Sequence, residues 1–139
     1  MKQHSATLDI RTKGPGLIDI TGEAARFVAQ SGIGEGLLTL FIRHTSASLL
    51  VQENADPDVL TDLENFMRRT VSLDTSLYRH TTEGPDDMPA HIRSALTQTS
   101  LSIPVRGGRM VLGTWQALYV FEHRDRGHRR EIAAHIIGD

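Results

Sequence analysis

Cysteine is absent from this chain of 139 residues. Its absence excludes disulfide bonds, a thiolate nucleophile and sulfur ligands, so a metal ion would have to be held by histidine and carboxylate side chains. No apolar run approaches the ~18 residues that a membrane-spanning helix requires. A large excess of positive charge is also missing, since the net charge is −2 and the pI is near 6.4. We therefore expect neither a membrane segment nor a broad basic face for nucleic acids.

Internal repeats and low-complexity linkers are likewise missing. A chain of this length buries roughly two thirds of its unfolded surface, which supplies one hydrophobic core. No apolar secretory segment follows residues 1–5, and so we expect a cytoplasmic protein. These absences together predict a single domain over residues 1–139.

Hydrophobic periodicity and turn residues predict strands and helices in alternation. The expected strands cover residues 5–12, 17–20, 37–42, 101–105, 109–112, 117–123 and 131–137, and the expected helices cover 22–31, about 57–69, and a segment that begins at Pro89. Thr21 and Asp56 are the expected helix caps, and we expect Trp115 to lie in the core. Helices between strands, with hairpins near the end of the chain, indicate an α+β fold. We predict a single compact domain with a mixed, largely antiparallel sheet packed against helices.

The segment 78–91 crowds two histidines and three acids around a turn. Gly84 and Pro85 predict a bend there, because glycine adopts unusual backbone angles and proline fixes φ. Pro89 suits the first position of a helix, which would place His91 in its first turn. Backbone N–H groups in that turn have no partner within the helix. We therefore expect the segment to bind a phosphate or carboxylate group.

A second polar group follows the apolar run 37–42, where a third histidine leaves the strand together with several hydroxyl groups. We expect the three histidines to converge on one site. The candidate catalytic residues are His44, His80, His91 and Glu83. The candidate substrate-binding residues are Thr45, Ser46, Ser48, Glu53, Asn54 and Gln116.

Two chemistries fit these residues. In the first, the three histidines bind Zn²⁺ or another divalent cation, with an open fourth position and Glu83 as a base. In the second, a histidine acts as general acid or base without a metal, while hydroxyl groups and a helix terminus bind a phosphoryl group. A diphosphate substrate would add Mg²⁺ on Asp86 or Asp87, with Arg43 or Arg109 neutralising charge.

Structural roles compete with these functions. Serines near a strand end often satisfy backbone groups. The remaining histidines, His4, His123, His128 and His135, are expected to be structural. The arginines of the last predicted turn, Arg124, Arg126, Arg129 and Arg130, are expected to form a solvated hairpin tip.

Several of these segments resemble the YjbQ-like family, whose members are also called secondary thiamine-phosphate synthase enzymes. The matching segments are HTSAS at 44–48, QENADPD at 52–58, HTTEGPDDMPAH at 80–91, LGTWQ at 112–116 and EHR at 122–124. The resemblance implies a compact α+β domain that assembles as a homotrimer, with a pocket near the three histidines. It also implies a weak thiamine-phosphate synthase activity, which joins a pyrimidine diphosphate to a thiazole phosphate with loss of pyrophosphate.

We therefore expect an enzyme with a histidine-centred pocket for a small phosphorylated metabolite. Two alternatives stay open. One is a divalent-metal-dependent, hydrolase-like enzyme of another substrate, and the other is a non-catalytic trimeric metabolite-binding protein.

Overall fold

A computed structural model describes all 139 residues. It contains eight strands, three α-helices and one short 3-10 helix (Thr75–Leu77). The strands are β1 (Lys2–Arg11), β2 (Gly16–Asp19), β3 (Gly36–Ile42), β4 (Ala47–Glu53), β5 (Ser100–Arg106), β6 (Arg109–Met110), β7 (Gln116–Glu122) and β8 (Arg129–Gly138). The helices are α1 (Thr21–Ser31), α2 (Pro57–Thr70) and α3 (Asp87–Leu96). None of the helices is long and apolar enough to cross a membrane.

The strands form two sheets, one with the order β1-β8-β3-β5-β6 and the other with the order β2-β7-β4. Their arrangement in one compact domain with three helices confirms the α+β class. Every pairing between strands is antiparallel, so the expectation of a mixed sheet was wrong. The reason is that α1 links β2 of the small sheet to β3 of the large one, and α2 and α3 link β4 to β5 in the same way. No helix therefore makes the crossover within one sheet that parallel neighbours require.

The core lies between the two sheets and is covered by α1. In β5 the side chains alternate, so that Leu101, Ile103 and Val105 are buried and the residues between them face outward. From α1, Phe27 and Val28 pack into the same apolar cluster. Burial of each such side chain stabilises the fold by about 1.5–3 kcal/mol relative to exposure. The inward-facing side chains of the strands therefore hold the domain together. The residues at the ends of the strands are free to carry polar groups.

Helix ends agree with the sequence in part. Asp56 caps α2, because its carboxylate accepts a hydrogen bond from the backbone N–H of Asp58 at 2.9 Å. Thr21 does not cap α1: its hydroxyl oxygen accepts a bond from the N–H of Leu118, while Asp19 accepts from the N–H of Thr21. The Thr21 hydroxyl thus ties α1 to strand β7.

Three further expectations were wrong. The expected strands did not include β4, because its mixture of serine, leucine and glutamine lacks a clear alternation. Helix α3 begins at Asp87, two residues before Pro89. The side chain of Trp115 is exposed, since this residue lies in the turn that precedes the buried strand β7.

Candidate functional site

Two histidines meet at one carboxylate oxygen where α3 begins. Asp87 is the first residue of the helix and His91 lies one turn later, so both side chains occupy the same face. His80, from the loop before the helix, reaches the same point. The Nε2 atoms of His80 and His91 lie 2.6 and 3.0 Å from Oδ2 of Asp87. Potential ligand atoms of the three residues all lie within 4.8 Å of one another.

The protonation of His91 follows from its second contact. Its Nδ1 atom lies 2.9 Å from the backbone oxygen of Thr45. A carbonyl oxygen only accepts hydrogen bonds, so Nδ1 carries the proton and donates it. In the neutral ring Nε2 then carries no proton, and its lone pair faces the Asp87 carboxylate. Two acceptors at 3.0 Å repel each other unless a cation lies between them. The site therefore requires either a protonated His91 or a bound metal ion.

Arg124 fixes the carboxylates of this segment. Its guanidinium donates to Oδ1 of Asp87 at 2.8 Å, to Oδ2 of Asp86 at 2.8 Å and to the backbone oxygen of Glu83 at 3.1 Å. The hydrogen bond from Arg124 lowers the pKa of Asp86 to about 2. Burial acts to raise the pKa of Asp87, but the bond from His80 and the charges of His91 and Arg124 outweigh it and lower that pKa. The guanidinium thus occupies Asp86, which leaves it poorly placed to bind Mg²⁺.

His44 stands beside this cluster and outside it. Its Nε2 atom accepts the backbone N–H of Glu131 at 2.8 Å. Burial, followed by the charge of Arg130, lowers the pKa of His44, so the ring is neutral at pH 7. It shares a cavity of about 250 Å³ with His91. The structure therefore brings His80 and His91 together and places His44 on the adjoining wall.

The expected location of His91 in the first helical turn was wrong, because α3 begins at Asp87. His91 is its fifth residue, and the free N–H groups of the first turn do not surround its ring. The expected phosphate site at that helix terminus therefore loses its basis. The Glu83 side chain is exposed and lines a neighbouring cavity with Asp86 and Arg124.

Four of the expected substrate-binding residues lie elsewhere. Ser48 is fully buried, and its hydroxyl contacts Nε2 of His123 at 2.9 Å. Glu53, Asn54 and Gln116 lie at the far end of β4, where Glu53 pairs with Gln116 across the sheet. A strand rises about 3.3 Å per residue, so the six steps from Ala47 to Glu53 carry them about 20 Å away. The unrecognised strand β4 is the cause of this error.

Thr45 and Ser46 remain beside the histidines. Thr45 is exposed and lines cavities with both His44 and His91. Ser46 is mostly buried, and its hydroxyl oxygen accepts a bond from Arg130 at 3.0 Å. These two residues join the end of β3 to the cluster.

Two arginines of the expected solvated tip are instead paired with acids. Arg124 binds the acids at the start of α3, and Arg130 is 4% exposed and paired with the fully buried Glu122. Sequence alternation offers a signal for Arg130: Ile132, Ala134 and Ile136 are the inward residues of β8, and one step back along that series reaches position 130. Arg126 and Arg129 are exposed, as expected.

Comparison with known proteins agrees with this fold. The family model described as "UPF0047 protein YjbQ-like" matches residues 6–139. The chain belongs to this family. A UPF0047 protein of Synechocystis sp. is 54% identical over 138 residues, which cover 99% of this chain and 94% of the relative. The UPF0047 protein YjbQ of Escherichia coli O157:H7 is 43% identical over 137 residues, with coverage of 98% and 99%.

Solved structures of the family share the same architecture. A conserved YjbQ/UPF0047 protein of Clostridium acetobutylicum superposes with a TM-score of 0.86 at 32% identity, over 95% of this chain and 99% of that one. A YbjQ-like protein of Sulfolobus solfataricus, described as of unknown function, gives a TM-score of 0.86 at 24% identity over 99% of both chains. The fold is thus retained where little sequence is shared. These family descriptions state no reaction.

Proposed function

We propose that this protein is an enzyme that binds a divalent cation at His80, Asp87 and His91 and acts on a small phosphorylated metabolite. The observation that supports the proposal is the geometry of His91: its Nδ1 faces the backbone oxygen of Thr45, and its Nε2 faces the Asp87 carboxylate at 3.0 Å. Nitrogen and carboxylate ligands without sulfur suit Zn²⁺, and the chain has no cysteine to compete for it.

The residues fit a zinc ion in number and spacing. Ligand atoms about 2.0–2.2 Å from a tetrahedral zinc lie about 3.3–3.6 Å from one another. The two nitrogen-to-oxygen separations here are 2.6 and 3.0 Å, so a small outward movement of the imidazoles would accommodate the ion. Two histidines and one carboxylate would leave the fourth position open, which is typical of catalytic rather than structural zinc. When bound there, zinc would acidify a water molecule or polarise a substrate oxygen.

The surrounding residues support the same role. The backbone oxygen of Thr45 holds the His91 ring through Nδ1, and Arg124 holds the second oxygen of Asp87. Such outer contacts orient metal ligands and set their tautomers. The side chain of His80 is 41% exposed, so it can exchange protons with solvent or substrate.

A metal-free enzyme is the competing proposal. The 2.6 Å contact between His80 and Asp87 favours it, because a carboxylate that orients an imidazole is a common general-base arrangement. In that case His91 would be protonated and would supply charge rather than bind a metal.

Thiamine-phosphate synthesis is one reaction that the family resemblance suggests for the site. Its leaving pyrophosphate needs positive charge. Arg43 lines the cavity next to His44 and is suitably placed. Arg109 is not, since β6 pairs with β5 beside the Gly36 end of β3, whereas His44 follows the opposite end. A binding protein without catalysis would use the same cavity and differ only in lacking turnover.

We also propose that the protein assembles as a homotrimer, as the resemblance suggests. The outer face of the large sheet exposes Leu37, Phe41 and Ile137, and Leu37 pairs with Ile137 across the strands. Exposed apolar groups on a sheet are typical of an interface. Phe41 also lines the cavity beside His44, so this interface would reach the site. Light scattering should give three times the chain mass of 15.4 kDa, and a monomer at micromolar concentration would contradict the assembly.

Elemental analysis of protein purified without a metal-affinity tag tests the central proposal. We expect about one zinc per chain after equilibration with zinc and removal of excess metal. Asp87→Asn should lose it, because the change removes the ligand charge and leaves the fold's apolar core intact. Asp62→Asn, an exposed residue of α2, is the matched control and should retain the metal. Wild-type protein that stays below about 0.1 zinc per chain would support the metal-free proposal instead.

A further inference from the structure

His44 presents an N–H group that has no acceptor within the protein. Its Nε2 accepts the backbone N–H of Glu131 at 2.8 Å. A neutral imidazole that accepts at Nε2 must carry its proton at Nδ1. Nδ1 lies 3.4 Å from Nη1 of Arg130. A guanidinium nitrogen is only a donor, so this contact joins two donors and is not a hydrogen bond.

The donors of Arg130 can be counted in the same way. Its Nε donates to Oε1 of Glu122 at 2.8 Å. Its Nη2 donates to Oε2 of Glu122 and to the backbone and hydroxyl oxygens of Ser46. Both protons of Nη1 are left without an acceptor, since the atom that Nη1 approaches is the His44 donor. This side chain is 4% exposed, and buried donors without partners are costly.

Both unsatisfied donors line one cavity of about 490 Å³. Its other walls are Thr45, Ser46 and Thr99 with Phe41, Ile42 and Arg43, so no carboxylate faces it. A guanidinium N–H, an imidazole N–H and hydroxyl groups in an acid-free cavity are the donors that bind oxyanions. His44 and Thr45 also line the adjoining cavity that holds His91.

We propose that His44 Nδ1–H and Arg130 Nη1 form a subsite for a phosphoryl oxygen of the substrate, next to the His80, Asp87 and His91 cluster. The role of the bound group as part of a substrate rests on the proposed function. Binding of the anion itself does not, and it is measured on protein from which metal has been removed. His44 then contributes by donating to the anion through Nδ1, and not as a metal ligand.

The test uses inorganic phosphate as the probe and the ring nitrogens of His44 as the reporter. In EDTA-treated protein labelled with ¹⁵N-histidine, His44 should show the Nδ1–H tautomer, and phosphate should shift its Nδ1 signal in a saturable way. His44→Gln is the selective variant, because its amide oxygen can still accept the N–H of Glu131 while the Nδ1 donor is lost. We expect phosphate affinity, measured by calorimetry, to fall about 10-fold or more, the usual value of a hydrogen bond to a charged group.

His135→Gln is the matched control, since this histidine lies on the outer face of β8 and contacts Ser5. It should leave phosphate affinity unchanged. Arg130→Lys provides a second test, because lysine keeps a charge for Glu122 and removes Nη1, and it should also weaken phosphate binding. Acetate should bind more weakly than phosphate.

Three results would overturn the subsite. One is an Nε2–H tautomer at His44. Another is equal phosphate affinity in His44→Gln and wild type, which would place the anion at the exposed Arg126 or elsewhere. The third is tighter binding of acetate than of phosphate. Zinc binding is measured separately, so loss of zinc in Asp87→Asn with phosphate binding retained would show that the two sites stand independently.

Discussion

Two buried carboxylates in this molecule are paired with arginine, and only one of them has a full set of hydrogen-bond donors. Glu122, in the interior, receives Thr12 and Arg130 on one oxygen and Arg130 with the backbone N–H of Arg124 on the other. Asp87 receives Arg124 on Oδ1, but its Oδ2 faces two imidazoles, and that of His91 can donate to it only when the ring is protonated. Burial and charge are similar in the two groups. The difference in hydrogen-bond completeness is what distinguishes a structural pair from a candidate site.

Arg124 connects the two groups. Its backbone N–H donates to Glu122, and its side chain reaches Asp86 and Asp87. The interior pair thus anchors the end of β7, from which the guanidinium extends to the start of α3. The hydrogen bonds of Glu122 thus hold Arg124, and through it Asp87, in position. Such support keeps a site rigid enough for chemistry.

The largest expected effect is the loss of function in His91→Asn. The amide N–H of asparagine can still donate to the Thr45 oxygen, whereas the Nε2 lone pair beside Asp87 is removed. If His91 transfers a proton or holds an essential metal, the rate should fall on the order of 10²–10⁴-fold. Release of pyrophosphate from the pyrimidine diphosphate, together with zinc titration, measures the change.

The fold should survive this substitution, with unfolding shifted by no more than about 1–2 kcal/mol. Thermal melts provide that control. An active His91→Asn protein with a strongly lowered melting temperature would show that His91 serves the packing of α3 and not the site.

The second effect concerns the interior pair. Glu122→Gln leaves Arg130 as a buried charge without a counter-ion, and we expect a loss of about 3–5 kcal/mol in the free energy of unfolding. Urea denaturation measures it. Glu64→Gln is the matched control, because Glu64 pairs with Arg68 near the surface and should cost no more than about 1 kcal/mol. Equal losses in the two variants would remove the distinction between interior and surface pairs.

The third effect is a pH dependence that differs between the two regions. Burial lowers the pKa of His123, which lies in the interior, to about 3. The unfolded chain takes up this proton near pH 6.5 and the folded chain does not, so stability falls as pH drops from about 6.5 towards 3. Asp86, at the site, has a folded pKa of about 2 against an ordinary value of 3.8. Its contribution is complete above about pH 4 and is lost as pH falls through 2.

Melting temperatures measured from pH 2 to 7 test this separation. His123→Gln should flatten the curve between about pH 6.5 and 4, and Asp86→Asn should flatten it below about pH 4. A His123→Gln curve parallel to that of the wild type would mean that the pKa of this imidazole is the same in the folded and the unfolded chain.

The sequence predicted most of the scaffold because its signals are local. Asp56 before Pro57, and the apolar run of β3, identify their elements without tertiary information. Strand β4 and the position of Trp115 could not be predicted in this way. Their placement depends on pairing with β7 and on the turn that precedes it, and these are long-range contacts.

The sequence predicted which residue types form the candidate site, but not how they are arranged. The density of histidine and acid in the segment 78–91 indicated His80, Asp87 and His91, which do meet. The start of α3 decides whether His91 faces free N–H groups or a carboxylate, and sequence places helix ends within only a few residues. Arg124 and Arg130 were missed because charged residues near a turn are usually exposed to solvent. Here both arginines are paired with buried acids instead.

The smallest expected effect is that of His135→Asn. Its position between apolar neighbours in β8 suggests a core residue whose loss would cost stability. In the structure the strand alternates, so that His135 is half-buried on the outer face and its Nδ1 contacts the exposed Ser5 hydroxyl at 2.6 Å. We therefore expect a loss of about 1 kcal/mol or less and unchanged zinc affinity. Ile136→Ala, at the fully buried neighbouring position, should cost about 2–5 kcal/mol in the same urea titration. A cost at His135 as large as that at Ile136 would contradict this expectation and would mean that His135 packs as tightly as a core residue.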